Sequence, residues 1–224
     1  MMIAIDIETV ASEEGKNLIS SMPISAPSNY KDEKKIKEYC DAKRHELIDK
    51  AALTWWTGKI VCVTCVDFIS DETHTFYGDD EKKVLVDFFN VLTINYPVHK
   101  LVGKNSDDFD LPWLRARAMR HGIGLPHHLR LKYDLSDIQK IFGHSRSSSQ
   151  VPSLKNMAYG LALPMEKLAN GSDVATMYEE GKWDEIGEYC LMDSKIVREV
   201  YRRYDKRFEP TISQSIKPEF QVPF

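Results

Sequence analysis

The chain has 224 residues, enough for one α/β domain with a well-buried core and short for two. Its 42% hydrophobic and 29% charged residues are those of a globular protein, which excludes global disorder, a collagen-like repeat and a membrane class. A formal net charge of −4 excludes a chain that holds nucleic acid by bulk positive charge, and no run reaches the roughly 18 apolar residues of a membrane span.

The first element is Ile3-Ala-Ile-Asp-Ile-Glu-Thr9, in which Ile3, Ile5 and Ile7 alternate with Ala4, Asp6 and Glu8. A period of two predicts a strand with one face in a core and Asp6 and Glu8 projecting together from the other. The rise per residue sets those carboxylates roughly 7 Å apart, where they repel unless cations lie between them, and hard divalent metals with oxygen ligands are their natural partners. Asp6, so near the start, leaves no apolar run for a signal peptide, so a cytoplasmic protein is expected.

Residues 11–30, rich in Ser, Pro and Gly, read as a loop. From Lys31 to about Ala52, Ile36, Cys40, Leu47 and Ala51 recur among charges at helical spacing, with Ser28 or Asn29 as the cap. The spacing predicts a helical insertion, about 11–56, between the first two strands, followed by Trp55 and Trp56 as packing residues. Residues 59–69 and about 73–77 then form a hairpin turning at Ser70-Asp71-Glu72. A helix from Asp80 to Tyr96 carries the stripe Val84, Leu85, Phe88, Phe89, Val91 and Leu92 and is closed by Pro97. His99-Lys-Leu-Val102 is a short strand, followed by a polar turn, a helix beginning near Asp110 to Pro112, and helices at 153–161, 172–180, 183–187 and 189 to about 208.

This order, strand, hairpin, helix, strand and then mostly helices, describes an α/β domain over residues 1–208 with a mixed sheet, and an extended tail over 209–224. Cys62-Val-Thr-Cys65 has the form CxxC, but a spacing of three in a strand sends the thiols to opposite faces, so neither a zinc nor a redox role is expected. Around residues 99–132, Lys104, Arg115, Arg117, Arg120, Arg130 and the histidines 99, 121, 127 and 128 surround an acidic knot of Asp107, Asp108 and Asp110. Such a distribution suits a bound metal with an anionic substrate, and equally a solvated helix face.

Two further patterns carry chemistry. Asn105-x-x-x-Phe109-Asp110 puts an acid where a strand and turn give way to a helix; a helix cap explains that Asp but not the adjoining Asn105 and Phe109. Tyr189-Cys-Leu-Met-Asp193 puts a hydroxyl and a carboxylate four residues apart on one helix face.

In this order Asp6-Ile-Glu-Thr9, Asn105-x-x-x-Phe109-Asp110 and Tyr189-x-x-x-Asp193 resemble the three motifs of the DnaQ-like 3'-5' exonucleases. The resemblance is to the tyrosine-type (DEDDy) branch, which includes the proofreading domains of family B DNA polymerases and their standalone relatives. Glu188 stands where the histidine-type branch would need His. The likeness runs from Met2 to about Tyr204 and includes Ser153-Leu154-x-x-Met157 and Lys167-Leu-Ala-Asn-Gly-Ser-Asp-Val174.

The resemblance implies an RNase H-like mixed sheet flanked by helices, and four carboxylates, Asp6, Glu8, Asp110 and Asp193, holding two Mg2+ or Mn2+ ions about 4 Å apart. It implies that Tyr189 orients the attacking water, although an unperturbed phenol with a pKa near 10 is no general base at neutral pH. Thr9, Asn105, Phe109, Ser153, Leu154 and Lys167 would hold the terminal nucleotides of a single strand, DNA in preference to RNA, in DNA replication or repair. An exoribonuclease with the same site and a silent nucleic-acid-binding module are the alternatives. The apolar end, Phe220–Phe224, reads either as a docking peptide for a replication protein such as a sliding clamp or as a frayed terminus.

Overall fold

In the computed structural model, which describes residues 2–96, 100–126, 129, 135–142, 152–163 and 171–205, the first strand β1 (Met2–Ala11) is the centre of a five-stranded sheet. It pairs antiparallel with β2 (Gly58–Asp67), and β2 pairs antiparallel with β3 (Thr73–Tyr77). On its other side β1 runs parallel to β4 (Lys100–Gly103), which is parallel to β5 (Leu135–Asp137), so the order is β3-β2-β1-β4-β5. The expected hairpin turns between β2 and β3, where Asp67 Oδ1 accepts the Ile69 and Ser70 amides at 2.7 and 2.8 Å and Asp71 takes a φ of 60°.

The alternation in β1 sorts its side chains as its sequence requires. Ile3, Ile5 and Ile7 join Ile60, Val63 and Cys65 in a core beneath α3 (Glu81–Asn95) and α4 (Asp110–His121). Ala4, Val66 and Val102 lie on the opposite face, covered by α5 (Leu154–Gly160) and by α7 (Trp183–Tyr204). At the far end of that face Val10, Val61 and Cys62 meet Val174 of α6 (Val174–Glu179) and Ile186 and Cys190 of α7. Helices thus cover both faces of a mixed sheet, the expected α/β, RNase H-like architecture. Cys62 and Cys65 are free thiols on opposite faces.

A buried ion pair ties the first core together. Glu81 Oε2 meets Arg117 at 2.5 Å and His121 Nε2 at 2.7 Å, while Oε1 accepts the Ile60 amide and Arg117 Nε, each at 2.7 Å. One carboxylate so joins the starts of β2 and α3 to the end of α4.

Four expectations are corrected. The stretch read as a loop contains α1 (Glu13–Ser21): Ser12 Oγ accepts the Gly15 amide at 3.0 Å, and Glu13 and Glu14 favour its first turn. Gly15 lets the helix lie on the chain, since a Cβ there would sit 1.9 Å from the Thr57 carbonyl oxygen. The inserted helix α2 (Glu33–Asp49) is capped by Asp32, not by Ser28 or Asn29, and buries none of its residues. Trp55 and Trp56 are not interior packing residues: they are 44% and 56% exposed and meet edge to face at 5.3 Å in the turn after the short 3-10 helix Ala51–Leu53. The two helices expected at 183–187 and 189–208 are one, α7, because Gly187 is where the Tyr77 ring packs, 2.9 Å from an added Cβ, and not a break.

The tail 209–224, Lys167, Pro97, Arg130 and the histidines 99, 127 and 128 lie outside the described residues. No helix among the described residues is long and apolar enough to cross a membrane.

Candidate active site

Beyond Ala4 the central strand loses its parallel neighbour, because β4 ends at Gly103 and the chain turns away. The part of β1 beyond that point carries Asp6 and Glu8, both half-buried on the face opposite Ile5 and Ile7. Helix α7 crosses this face and is clasped to it by a buried polar contact. Thr64, the β2 partner of Asp6, donates through Oγ1 to the Cys190 carbonyl at 3.1 Å and lies 2.6 Å from Ser194 Oγ. That clasp fixes the helical phase that brings Tyr189 and Asp193 into the field of Asp6 and Glu8. Cys190 Sγ is 3.5 Å from Asp6 Oδ2, and one ligand atom each of Asp6, Glu8 and Cys190 lie within 4.8 Å of one another.

Asp110 reaches the same place from the other core. The turn before it is tight: Asn105 has a φ of 59° and its carbonyl accepts the Phe109 amide at 2.9 Å, which starts α4 at Asp110. The buried Asp110 carboxylate accepts from its own amide and from the Ile7 amide, past the last β4 partner of β1. An acid from α4 thus hydrogen-bonds the backbone between Asp6 and Glu8.

The electrostatics report this convergence. Burial, followed by the fields of Asp193, Glu8 and Asp110, holds the Asp6 carboxyl well above its ordinary range. Burial and the fields of Asp193 and Asp110 do the same to Glu8. Burial raises Asp110 to about 7, with Asp137 adding to it and Lys104 opposing. Asp193 is raised by burial to about 6, while the Tyr189 hydroxyl and Lys104 favour its ionised form. Burial and the facing carboxylates push the Tyr189 phenol far above its usual range, so it stays protonated and donates.

Four hard oxygen donors in one another's field fit divalent cations of the Mg2+ type. Cys190 does not extend that set: burial holds its thiol neutral, and a neutral thiol is a poor ligand for a hard ion.

The remaining predicted contacts fall differently. Phe109 is half-buried against the first core, with its ring 5.6 Å from that of Trp113. Thr9 donates its hydroxyl to the Ala52 carbonyl at 2.6 Å. Ser153 caps α5 by accepting the Asn156 amide, and Leu154 packs in the second core. Three residues enter that sequence reasoning did not assign to the site. Thr64 and Ser194 carry no motif, being ordinary small polar residues until α7 is laid on β2. Asp137 is buried, with Oδ1 accepting the Asn105 and Gln139 amides at 2.8 Å each, and holds the turn that delivers Asp110. Its stretch, Tyr133-Asp-Leu-Ser-Asp137, is mixed polar and apolar and gives no pattern that singles it out.

Residues 52–133, from the 3-10 helix past α4, match the model of a family described as "Predicted 3'-5' exonuclease related to the exonuclease domain of PolB". The fold is similar to that of the family B DNA polymerase from the hyperthermophilic archaeon Pyrobaculum calidifontis, with a TM-score of 0.54 and 14% identity over 91% of this chain and 24% of that one. The chain therefore spans about a quarter of the length of that polymerase. No curated protein matches it. The family match covers less than half of this chain, and the structural likeness is one of fold.

Proposed function

We propose that this PolB-exonuclease-like domain is a two-metal-ion 3'-5' exonuclease of the DEDDy type, releasing nucleoside monophosphates from the 3' end of single-stranded DNA in replication or repair. One observation carries the reading: carboxylates from β1, α4 and α7, distant in sequence, lie in one another's field with every pKa raised. A fold gains nothing from gathering four acids unless cations offset them.

Asp6, Glu8, Asp110 and Asp193 would hold the ions. Bound there, divalent cations supply a water that is nucleophilic at neutral pH and stabilise charge on the leaving 3'-oxygen. The chain's own work is positioning. Tyr189, kept protonated by burial and by its acidic neighbours, donates to Asp193 and offers its oxygen as an acceptor that orients the attacking water. Glu8 accepts from the same water on its other side. The incoming water oxygen bonds to phosphorus and gives up one proton to solvent, the bond to the 3'-oxygen breaks, and that oxygen takes a proton from solvent. Asn105 and Phe109 line the approach, where Phe109 offers a ring edge to the terminal base.

The test is direct. With Mg2+ or Mn2+ the purified protein shortens a 5'-labelled single strand stepwise, and Asp6→Ala and Asp193→Ala each abolish this. Undiminished activity in both variants would refute the assignment. DNA and RNA oligonucleotides assayed side by side decide the substrate, since only contacts to the 2'-hydroxyl distinguish them.

A further inference from the structure

Trp55 and Trp56 are exposed indoles on a turn that the fold holds still. The Thr57 and Gly58 amides both donate to the Thr54 carbonyl, at 3.1 and 2.9 Å, and the Thr57 hydroxyl donates to the Ala51 carbonyl at 2.9 Å. From outside the turn, the Ser12 amide donates to the Thr57 carbonyl at 2.9 Å, and Arg117 of α4, itself held by Glu81, donates to the Trp55 carbonyl at 3.1 Å. Gly58 lets the buried Trp113 ring press on the turn from behind, 2.5 Å from where a Cβ would stand. The turn is also tied to the strand that carries the acids. Thr9, the residue after Glu8, donates to the Ala52 carbonyl at 2.6 Å, and the three residues from Ala52 to Trp55 span at most about 11 Å. The two rings stand at 87° to one another beside the exposed Leu53, so each keeps a face that the other does not cover.

Resting on the nuclease reading, we propose that Trp55 and Trp56 form a stacking platform for unpaired bases of the strand being shortened. A rigid turn that leaves two indoles in water contributes little to the core, but it is what a stacked base requires, because the cost of ordering the aromatic face is already met. Charge points the same way. The chain has a net charge of −4 and gathers acids at the site, so it cannot hold a polyanion by bulk attraction. Stacking adds affinity without adding charge, and it tolerates any sequence because every base has a π face. Continuity favours a nucleic acid over a protein as the occupant: the turn is one hydrogen bond from the residue after Glu8, so whatever lies on the indoles lies next to the strand of Asp6 and Glu8.

The experiment measures binding of two 5'-fluorescein-labelled strands in Ca2+ by anisotropy across a salt series: a short oligo(dT), and the same strand made abasic at every position but the last. Wild type is compared with the pairs Trp55→Ala/Trp56→Ala and Trp55→Phe/Trp56→Phe. The Ala pair is expected to weaken oligo(dT) binding about 5- to 100-fold and to leave the abasic strand bound as by wild type. The slope of log K against log salt stays the same, because no phosphate contact is lost. Cleavage of oligo(dT) in Mg2+ shows a raised KM with kcat unchanged, and the Phe pair, which keeps an aromatic face, recovers most of the loss. An Ala pair that weakens both strands by the same factor acts through the shape of the turn and overturns the proposal. So does a wild type that self-associates in sedimentation through these indoles while the Ala pair is monomeric and binds oligo(dT) equally well. A wild type that cleaves while the Ala pair matches its affinity defeats this inference but not the nuclease reading; a wild type that neither binds nor cleaves defeats both.

Discussion

Replacing Asp110 by Asn should stabilise the metal-free protein while abolishing its activity. The carboxyl is buried at 3% exposure and its pKa rises from the ordinary 3.8 to about 7 on folding. Between those values the folded chain keeps a proton that the unfolded chain has released, so stability falls as pH rises through this window and the whole loss is in place above about pH 7. At 1.36 kcal/mol per pKa unit the penalty is about 4 kcal/mol at pH 8 and under about 2 kcal/mol at pH 5. Asn never ionises and escapes it. Against this, the Asn carbonyl replaces only part of what the carboxylate accepts from the Asp110 and Ile7 amides, a cost of about 1–2 kcal/mol. The net gain is about 2–3 kcal/mol at pH 8 and close to zero at pH 5. A domain of this size gains about 2–4 °C per kcal/mol, so melts followed by circular dichroism in EDTA should show Asp110→Asn about 5–10 °C above wild type at pH 8 and level with it at pH 5. Saturating Mg2+ or Mn2+ should close the gap by stabilising the wild type. A variant melting at or below wild type at both pH values would show that Asp110 carries no such penalty, and the view of these carboxylates as a strained acid cluster would fall with it.

Other outcomes follow from the same geometry. Tyr189→Phe should keep metal binding, measured by calorimetry, but lose about 10- to 100-fold in kcat with no change in the pH–rate profile below pH 9, since the phenol stays protonated there. Arg117→Leu leaves the buried Glu81 carboxylate without its bidentate partner and should cost about 3–5 kcal/mol in urea unfolding. Gly15→Ala, which drives a Cβ into the Thr57 carbonyl, should be destabilising by more than about 1 kcal/mol and lift α1 off the strand end, read by loss of amide-exchange protection at Ser12. The pair Trp55→Ala/Trp56→Ala should change stability by less than about 1 kcal/mol, and acrylamide should quench both indoles in the native protein while sparing Trp113.

Much was legible in the sequence because it rests on local rules. The alternation Ile3-Ile5-Ile7 against Asp6-Glu8 needed only the pleat of a strand, and the stripe from Val84 to Leu92 only the pitch of a helix. The opposite faces of Cys62 and Cys65 followed from parity. The signals that misled were also local. Ser12-Glu-Glu-Gly15 lies in a run that reads as a loop, and becomes a helix start where Thr57 is there to receive it. Gly187 looks like a break until the Tyr77 ring occupies the space its missing Cβ leaves.

What the chain's order alone determined, then, is which residues can form a strand carrying two acids, a helix opening on a third and a helix carrying a fourth beside a tyrosine. Only the tertiary structure decided that the fields of Asp110 and Asp193 reach Asp6 and Glu8, because that depends on where β4 stops, on the Thr64–Ser194 clasp that sets the rotation of α7, and on Asp137 holding the Asn105 turn. Burial decided the rest. A carboxylate in a sequence has its ordinary proton affinity, and only the surrounding fold, by removing water and adding like charges, raises that affinity until a cation is the better partner.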